Sequence, residues 1–108
     1  MHSSEVVDYG GHSVRLTQER LDHLLAGHND FGKYEDQIPR IIADPDRVVE
    51  SSWNPSASLY YRAVGVTRRH KAKYLCLVVV KANGDRFVAT GFVTDRVKAG
   101  RVIWDRPT

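Results

Sequence analysis

The chain has 108 residues, of which 42% are hydrophobic and 27% charged; this suits one globular domain with a single core and excludes a disordered chain. Sixteen Lys and Arg against thirteen Asp and Glu give a formal net charge of +3, compatible with a polyanionic partner but not diagnostic of one. One cysteine, Cys76, excludes an intramolecular disulfide and a thiolate zinc site, and the absence of a signal-like start or a bilayer-length apolar run predicts a cytoplasmic protein with no membrane partner.

Residues 1–12 are polar and contain Gly10 and Gly11. They read as a flexible lead-in to a single domain over 13–108, with a short strand at Ser13–Leu16. Thr17 can then cap a helix, with Glu19 in the first turn, where the helix dipole favours an acid. Leu21, Leu24 and Leu25 form its apolar face, and Gly27 is a natural stop. A second helix is predicted over about Asp36–Ala43, with Ile38, Ile41 and Ile42 on one face. Pro39 is tolerated in its first turn, and Pro45 ends it by forcing Asp44 out of the helical region.

Strands follow. Asp46–Trp53 and Leu59–Val66 flank an Asn54-Pro55-Ser56 turn signal. Lys73–Lys81 is nearly all apolar, as expected of a central strand covered on both faces, and places Cys76 in the interior as an inert thiol. Asp85–Thr94 returns through Asn83-Gly84, a strong hairpin signal. A two-residue turn there sets Lys81 opposite Arg86, Val79 opposite Val88, Leu77 opposite Thr90 and Leu75 opposite Phe92, so that Thr90 shares a face with Lys81 and Arg86. Val102-Ile103-Trp104 can add a short edge strand. Helices followed by strands imply an α+β domain, with the helices on one face of an antiparallel sheet.

The residue types available for chemistry are His, Arg, Lys, Tyr and Thr. No phosphate-binding glycine loop, nucleophile elbow or two-metal acid cluster is present. In LDHLLAGHND, His23 and His28 are separated by roughly 140° on an ideal helix, so a shared metal is not expected. They read either as a surface residue and a capping or core residue, or as a general acid and base. In the second long strand, Tyr60 and Arg62 share one face and Tyr61 takes the other. A hydroxyl beside a guanidinium can hold a phosphate, or simply be a half-buried tyrosine beside an edge arginine. TRRHKAK, with Arg68, Arg69 and Lys71, is a basic hairpin tip suited to nucleic-acid backbone or to plain solvation. Thr90 offers a hydroxyl on an apolar strand.

Taken together, His23-Leu-Leu-Ala-Gly-His28, the Tyr34–Pro45 segment, Tyr60-Tyr61-Arg62, Tyr74–Lys81 and Ala89-Thr90-Gly91-Phe92 resemble the phage-associated barnase/EndoU/colicin/RelE-like (PBECR) nuclease domains, over about Leu16–Trp104. The resemblance implies two N-terminal helices packed on a four-stranded antiparallel sheet. It also implies a metal-independent endoribonuclease, toxin-like or associated with phage and mobile elements, that cleaves RNA by 2′-OH transesterification without a cofactor. The family pattern marks His23, His28, Arg62 and Thr90 as catalytic, with Gly27 and Asn29 flanking His28 where relatives commonly carry Arg and Pro. Tyr60, Tyr61, Lys81, Arg68, Arg69 and Lys71 complete the expected substrate-binding set. RNA is the expected partner, with an antitoxin or immunity protein as a second. The alternative is a catalytically inert RNA- or protein-binding module of the same fold.

Overall fold

The alternating Val14 and Leu16 and the three isoleucines of the second helix define the inside of the protein, because each is almost wholly withdrawn from water. The computed structural model describes residues 3–27, 31–66 and 72–107. In chain order it comprises β1 (Ser3–Val7), β2 (Ser13–Thr17), α1 (Gln18–Gly27), a 3₁₀ stretch (Phe31–Gln37), α2 (Ile38–Ala43), β3 (Arg47–Glu50), β4 (Ala57–Val66), β5 (Ala72–Ala82), β6 (Asp85–Thr94) and β7 (Val102–Asp105).

The seven strands form one sheet in the order β1-β2-β6-β5-β4-β3-β7. All neighbours are antiparallel except β2 and β6, which run parallel and pair at Arg15 and Phe87. The architecture is therefore α+β, but it is not the expected pair of helices on a four-stranded antiparallel sheet. The four predicted strands correspond to β3–β6, and the strand at Ser13–Leu16 and the tail strand become integral members. Residues 3–12, expected as a flexible lead-in, instead supply β1 and a tight turn. The pairing of Val6 with Val14 and of Ser4 with Leu16 explains this: two short segments, each weak alone, bury one shared apolar face.

Thr17 caps α1 as its sequence predicts, its Oγ1 accepting from the Arg20 N–H at 3.2 Å. Pro39 sits in the first turn of α2. The helix stops before Pro45, with the Asp44 N–H donating to the Arg40 carbonyl at 2.8 Å. Leu24, Ile38, Ile41 and Ile42 press on Val48, Tyr60, Leu75, Leu77, Val79 and Val88 to form the main core. Burial of each such aliphatic side chain contributes about 1.5–3 kcal/mol. The opposite face carries a smaller cluster of Val49, Leu59, Tyr61 and Cys76.

Two local features decide which side chains meet. Asn83 and Gly84 both have positive φ, giving the predicted tight hairpin and fixing Lys81 opposite Arg86 and Val79 opposite Val88. The register then shifts between Val78 and Val79, leaving Ala89 as an extra residue, so that Val78 faces Thr90, Leu77 faces Gly91 and Leu75 faces Val93. This bulge corrects the two predicted pairs Leu77–Thr90 and Leu75–Phe92, and it puts Thr90 on the face of Val78 and Cys76, away from Lys81 and Arg86. The second feature is the turn after β1. Tyr9 stacks on Tyr60 with ring centroids 5.7 Å apart and on Trp104 of β7 at 4.9 Å, so the turn crosses from one edge of the curled sheet to the other.

Candidate active site

Of the four expected catalytic residues, the three that are described, His23, Arg62 and Thr90, stand apart. His23 is exposed on α1. Arg62 stands on the helix-covered face, between Tyr60 and Val64, where it donates to the carbonyl and carboxylate oxygens of Asp44 at the end of α2. Arg106 reaches the same Asp44 carbonyl at 2.8 Å and the Asp46 carboxylate at 2.9 Å. Arg62 is thus part of an ion-paired clasp over a helix C-terminus, where cations are stabilising. Thr90 lies across the sheet from it. His28, with the basic tip residues Arg68, Arg69 and Lys71, lies outside the described residues.

The expected substrate-binding residues also divide. Tyr61 is fully buried in the smaller cluster, and the Lys98 backbone N–H donates to its hydroxyl at 3.2 Å; burial pushes its pKa up to about 12. Tyr60 and Lys81, in contrast, line one cleft of about 330 Å³ on the other face, together with Asp8, His12, Ser56 and Arg86. That volume lies within the range of small-molecule sites. A second cleft of about 320 Å³ on the far side of His12 and Arg86 contains Arg15 and Asp85, which pair at 2.9 Å. His12 and Arg86 form the ridge that both clefts share.

Each side chain of the first cleft is placed by local structure. The hairpin turn holds Lys81 and Arg86 side by side, and the Lys81 N–H donates to the Ser56 carbonyl at 2.8 Å, tying the β3–β4 loop to the cleft wall. Among the described residues, neither cation has a carboxylate within ion-pair distance. Asp8 is the one buried charged residue described. Its Oδ1 accepts from the backbone N–H of Gly10 at 2.9 Å and of His12 at 2.8 Å, and its Oδ2 accepts from the Tyr60 hydroxyl at 2.8 Å. Three donors offset the cost of withdrawing the carboxylate from water.

This wiring sets the protonation of the tyrosines. The Tyr60 hydroxyl is held well above its ordinary pKa, first by burial and then by its bond to Asp8, with the Arg86 charge opposing. Tyr9 is raised by burial and by the Asp8 charge, again against Arg86. Both therefore stay neutral at physiological pH, and the proton of Tyr60 is committed to Asp8. Its role is to hold the carboxylate, while Lys81 and Arg86 remain the groups able to attract an anion. Among the described residues, no three His, Cys, Asp or Glu side chains cluster closely enough to hold a metal ion.

Tyr60 and Lys81 are the cleft residues the sequence marks as candidates, with Arg86 as a neighbour of Lys81 on one face; Asp8 and His12 also line the cleft without being marked. The available signal was DYGGH, an acid and a histidine four residues apart around two glycines, a spacing that a tight turn folds together.

No curated protein and no solved structure matches the chain. A family model does match, described as phage-Barnase-EndoU-ColicinE5/D-RelE like nuclease2 (PBECR2), and it spans residues 3–105, from β1 through β7 and including the Asp8–His12 turn. With nearly the whole described chain inside that match, the protein belongs to the PBECR2 family of phage-associated, nuclease-like domains.

Proposed function

We propose that the protein is a metal-independent endoribonuclease whose scissile phosphate sits at Lys81 and Arg86. The observation that carries this reading is the pair of cations fixed side by side at the mouth of a cleft with no described carboxylate partner. In the reaction, the ribose 2′-oxygen attacks the adjacent phosphorus, negative charge builds on the non-bridging oxygens, and the 5′-oxygen leaves. Two fixed cations aimed at those oxygens stabilise the charged transition state more than the ground state. The guanidinium of Arg86 can take two oxygens at once, and the ammonium of Lys81 supplies a compact charge. Charge neutralisation by side chains serves where other nucleases use metal ions.

The test is incubation of the wild type with total RNA in EDTA, followed by mapping of the ends. Expected products carry 2′,3′-cyclic phosphates, and 2′-deoxy substrates are refractory. Lys81→Ala and Arg86→Ala each lower kcat/KM by roughly 10²–10³-fold, whereas His23→Ala and Arg62→Ala keep most of the activity. Cleavage that survives both cleft substitutions, or that proceeds equally on 2′-deoxy substrate, overturns the proposal.

A further inference from the structure

The turn between β1 and β2 contains a histidine whose surroundings are more elaborate than a surface loop requires. Its side chain is half exposed, yet Nδ1 lies 3.5 Å from Oδ1 of Asp8, whose own side chain is 1% exposed. The carboxylate is fixed from three directions by the Gly10 and His12 N–H groups and by Tyr60. The turn is closed by the Asp8 N–H donating to the His12 carbonyl at 2.7 Å and by the Gly11 N–H donating to the Asp8 carbonyl at 3.1 Å. Gly10 leaves room for the ring: a Cβ there would lie 3.2 Å from Nδ1 and 3.4 Å from Cε1 of His12. The imidazole therefore lies over a backbone with no side chain, one edge toward a buried carboxylate and, among the described residues, no hydrogen-bond partner on the other, in the same cleft as Lys81 and Arg86.

From this geometry we infer that His12 is the proton-transfer group of the cleft and that Asp8 is its positioning residue; the inference rests on the endoribonuclease reading above. A carboxylate beside Nδ1 favours the tautomer that carries the proton on that nitrogen, leaving the Nε2 lone pair for the substrate. Nε2 removes the 2′-OH proton as the O2′–P bond forms. The P–O5′ bond breaks with its electron pair on O5′, which is protonated from water, and the hydroxide so produced takes the proton back from the imidazolium. The products are a 2′,3′-cyclic phosphate and a 5′-hydroxyl, and no oxidant, reductant or metal enters the balance.

Three measurements on the full chain test this. In steady-state cleavage of a defined oligoribonucleotide, His12→Gln is expected to lower kcat by roughly 10²–10⁴-fold with KM nearly unchanged, while Lys81→Ala raises KM as well. Free imidazole is expected to restore part of the activity of His12→Gly. By ¹⁵N NMR of the folded wild type, neutral His12 is expected as the Nδ1–H tautomer, shifting toward Nε2–H in Asp8→Asn. Should Asp8→Asn fail to fold, Gly10→Ala shifts the ring by a few tenths of an ångström while keeping the carboxylate, and a several-fold loss in kcat with KM nearly unchanged is expected. An active wild type whose His12→Gln variant retains kcat within threefold, an absence of imidazole rescue, or an Nε2–H tautomer in the wild type overturns the inference and leaves the endoribonuclease reading standing. A wild type that cleaves no RNA overturns that reading, and the inference with it.

Discussion

Removing one oxygen atom tests the buried wiring of the cleft. In Tyr60→Phe the ring keeps its place against Tyr9 and in the core, but Asp8 Oδ2 loses the donor that now lies 2.8 Å away. The carboxylate keeps its two backbone donors and little volume is lost, so the cost is that of one hydrogen bond to a buried charge, about 1.5–3 kcal/mol. For a domain of this size each kcal/mol lowers Tm by roughly 4–8 °C. Urea titration is expected to show a lower midpoint with an unchanged slope, the sign of altered stability without altered compactness. The pH dependence adds a sharper criterion. Tyr60 has a raised pKa in the folded state, so its contribution is fully present below the unfolded value near 10 and is lost as pH rises above it, because only the unfolded tyrosine can then ionise. The variant has no hydroxyl to ionise. The gap between wild type and Tyr60→Phe should therefore be flat from pH 6 to 9 and narrow above about 10. A variant as stable as wild type at pH 7, or a gap that widens in alkali, refutes the wiring.

Other outcomes follow from the same structure. Arg62→Ala should lower stability by about 1–2 kcal/mol through loss of the Asp44 clasp, measured by urea midpoint, and should leave RNA cleavage largely intact; abolished cleavage with unchanged stability would restore Arg62 as a phosphate clamp. Burial pushes the Cys76 thiol up to about 12, so its stabilising effect is present below pH 9 and lost on the order of 1.4 kcal/mol for each pH unit above that. Cys76→Ala should accordingly show a shallower alkaline loss of stability than wild type, and equal slopes would contradict this. Gly91→Ala should destabilise by about 1–3 kcal/mol, because the added methyl would lie 2.8 Å from Leu77 Cδ2, 3.0 Å from the Cys76 carbonyl and 3.2 Å from Leu24 Cδ2; an unchanged urea midpoint would mean that α1 moves aside freely.

The parts legible from sequence are those in which a local rule acts alone. Asn83-Gly84 dictates a turn, and that alone pairs Lys81 with Arg86; Pro39, Pro45 and three isoleucines dictate where α2 sits and which face it buries. Thr90 shows where this stops. Counting outward from the turn works only until a bulge intervenes, and nothing in DRFVATGFVT marks Ala89 as the residue that drops out of register. One inserted residue carries every later side chain to the other face. Likewise β1 has no strong pattern of its own, because SSEVV acquires a buried face only by pairing with β2. Arg62 was expected to meet an anion, and it does, but the anion is Asp44 of the same chain. His12 carries no mark in the sequence because its surroundings depend on Asp8 being buried, and Asp8 is tied down by Tyr60, fifty-odd residues away.

The stacking of Tyr9 on Trp104 also bears on how the chain is made. The first turn of the protein completes its packing only against the last strand, and the cleft between them draws on residues from β4, β5 and β6. Such a site joins a local turn, Asp8–His12, to partners far along the chain, and long-range contacts of that kind slow folding. During synthesis, a ribosome-bound chain lacking β7 would hold the Asp8–His12 turn without the Trp104 ring that packs on Tyr9. The cleft is therefore complete only once β7 has joined β3 and Trp104 has reached Tyr9.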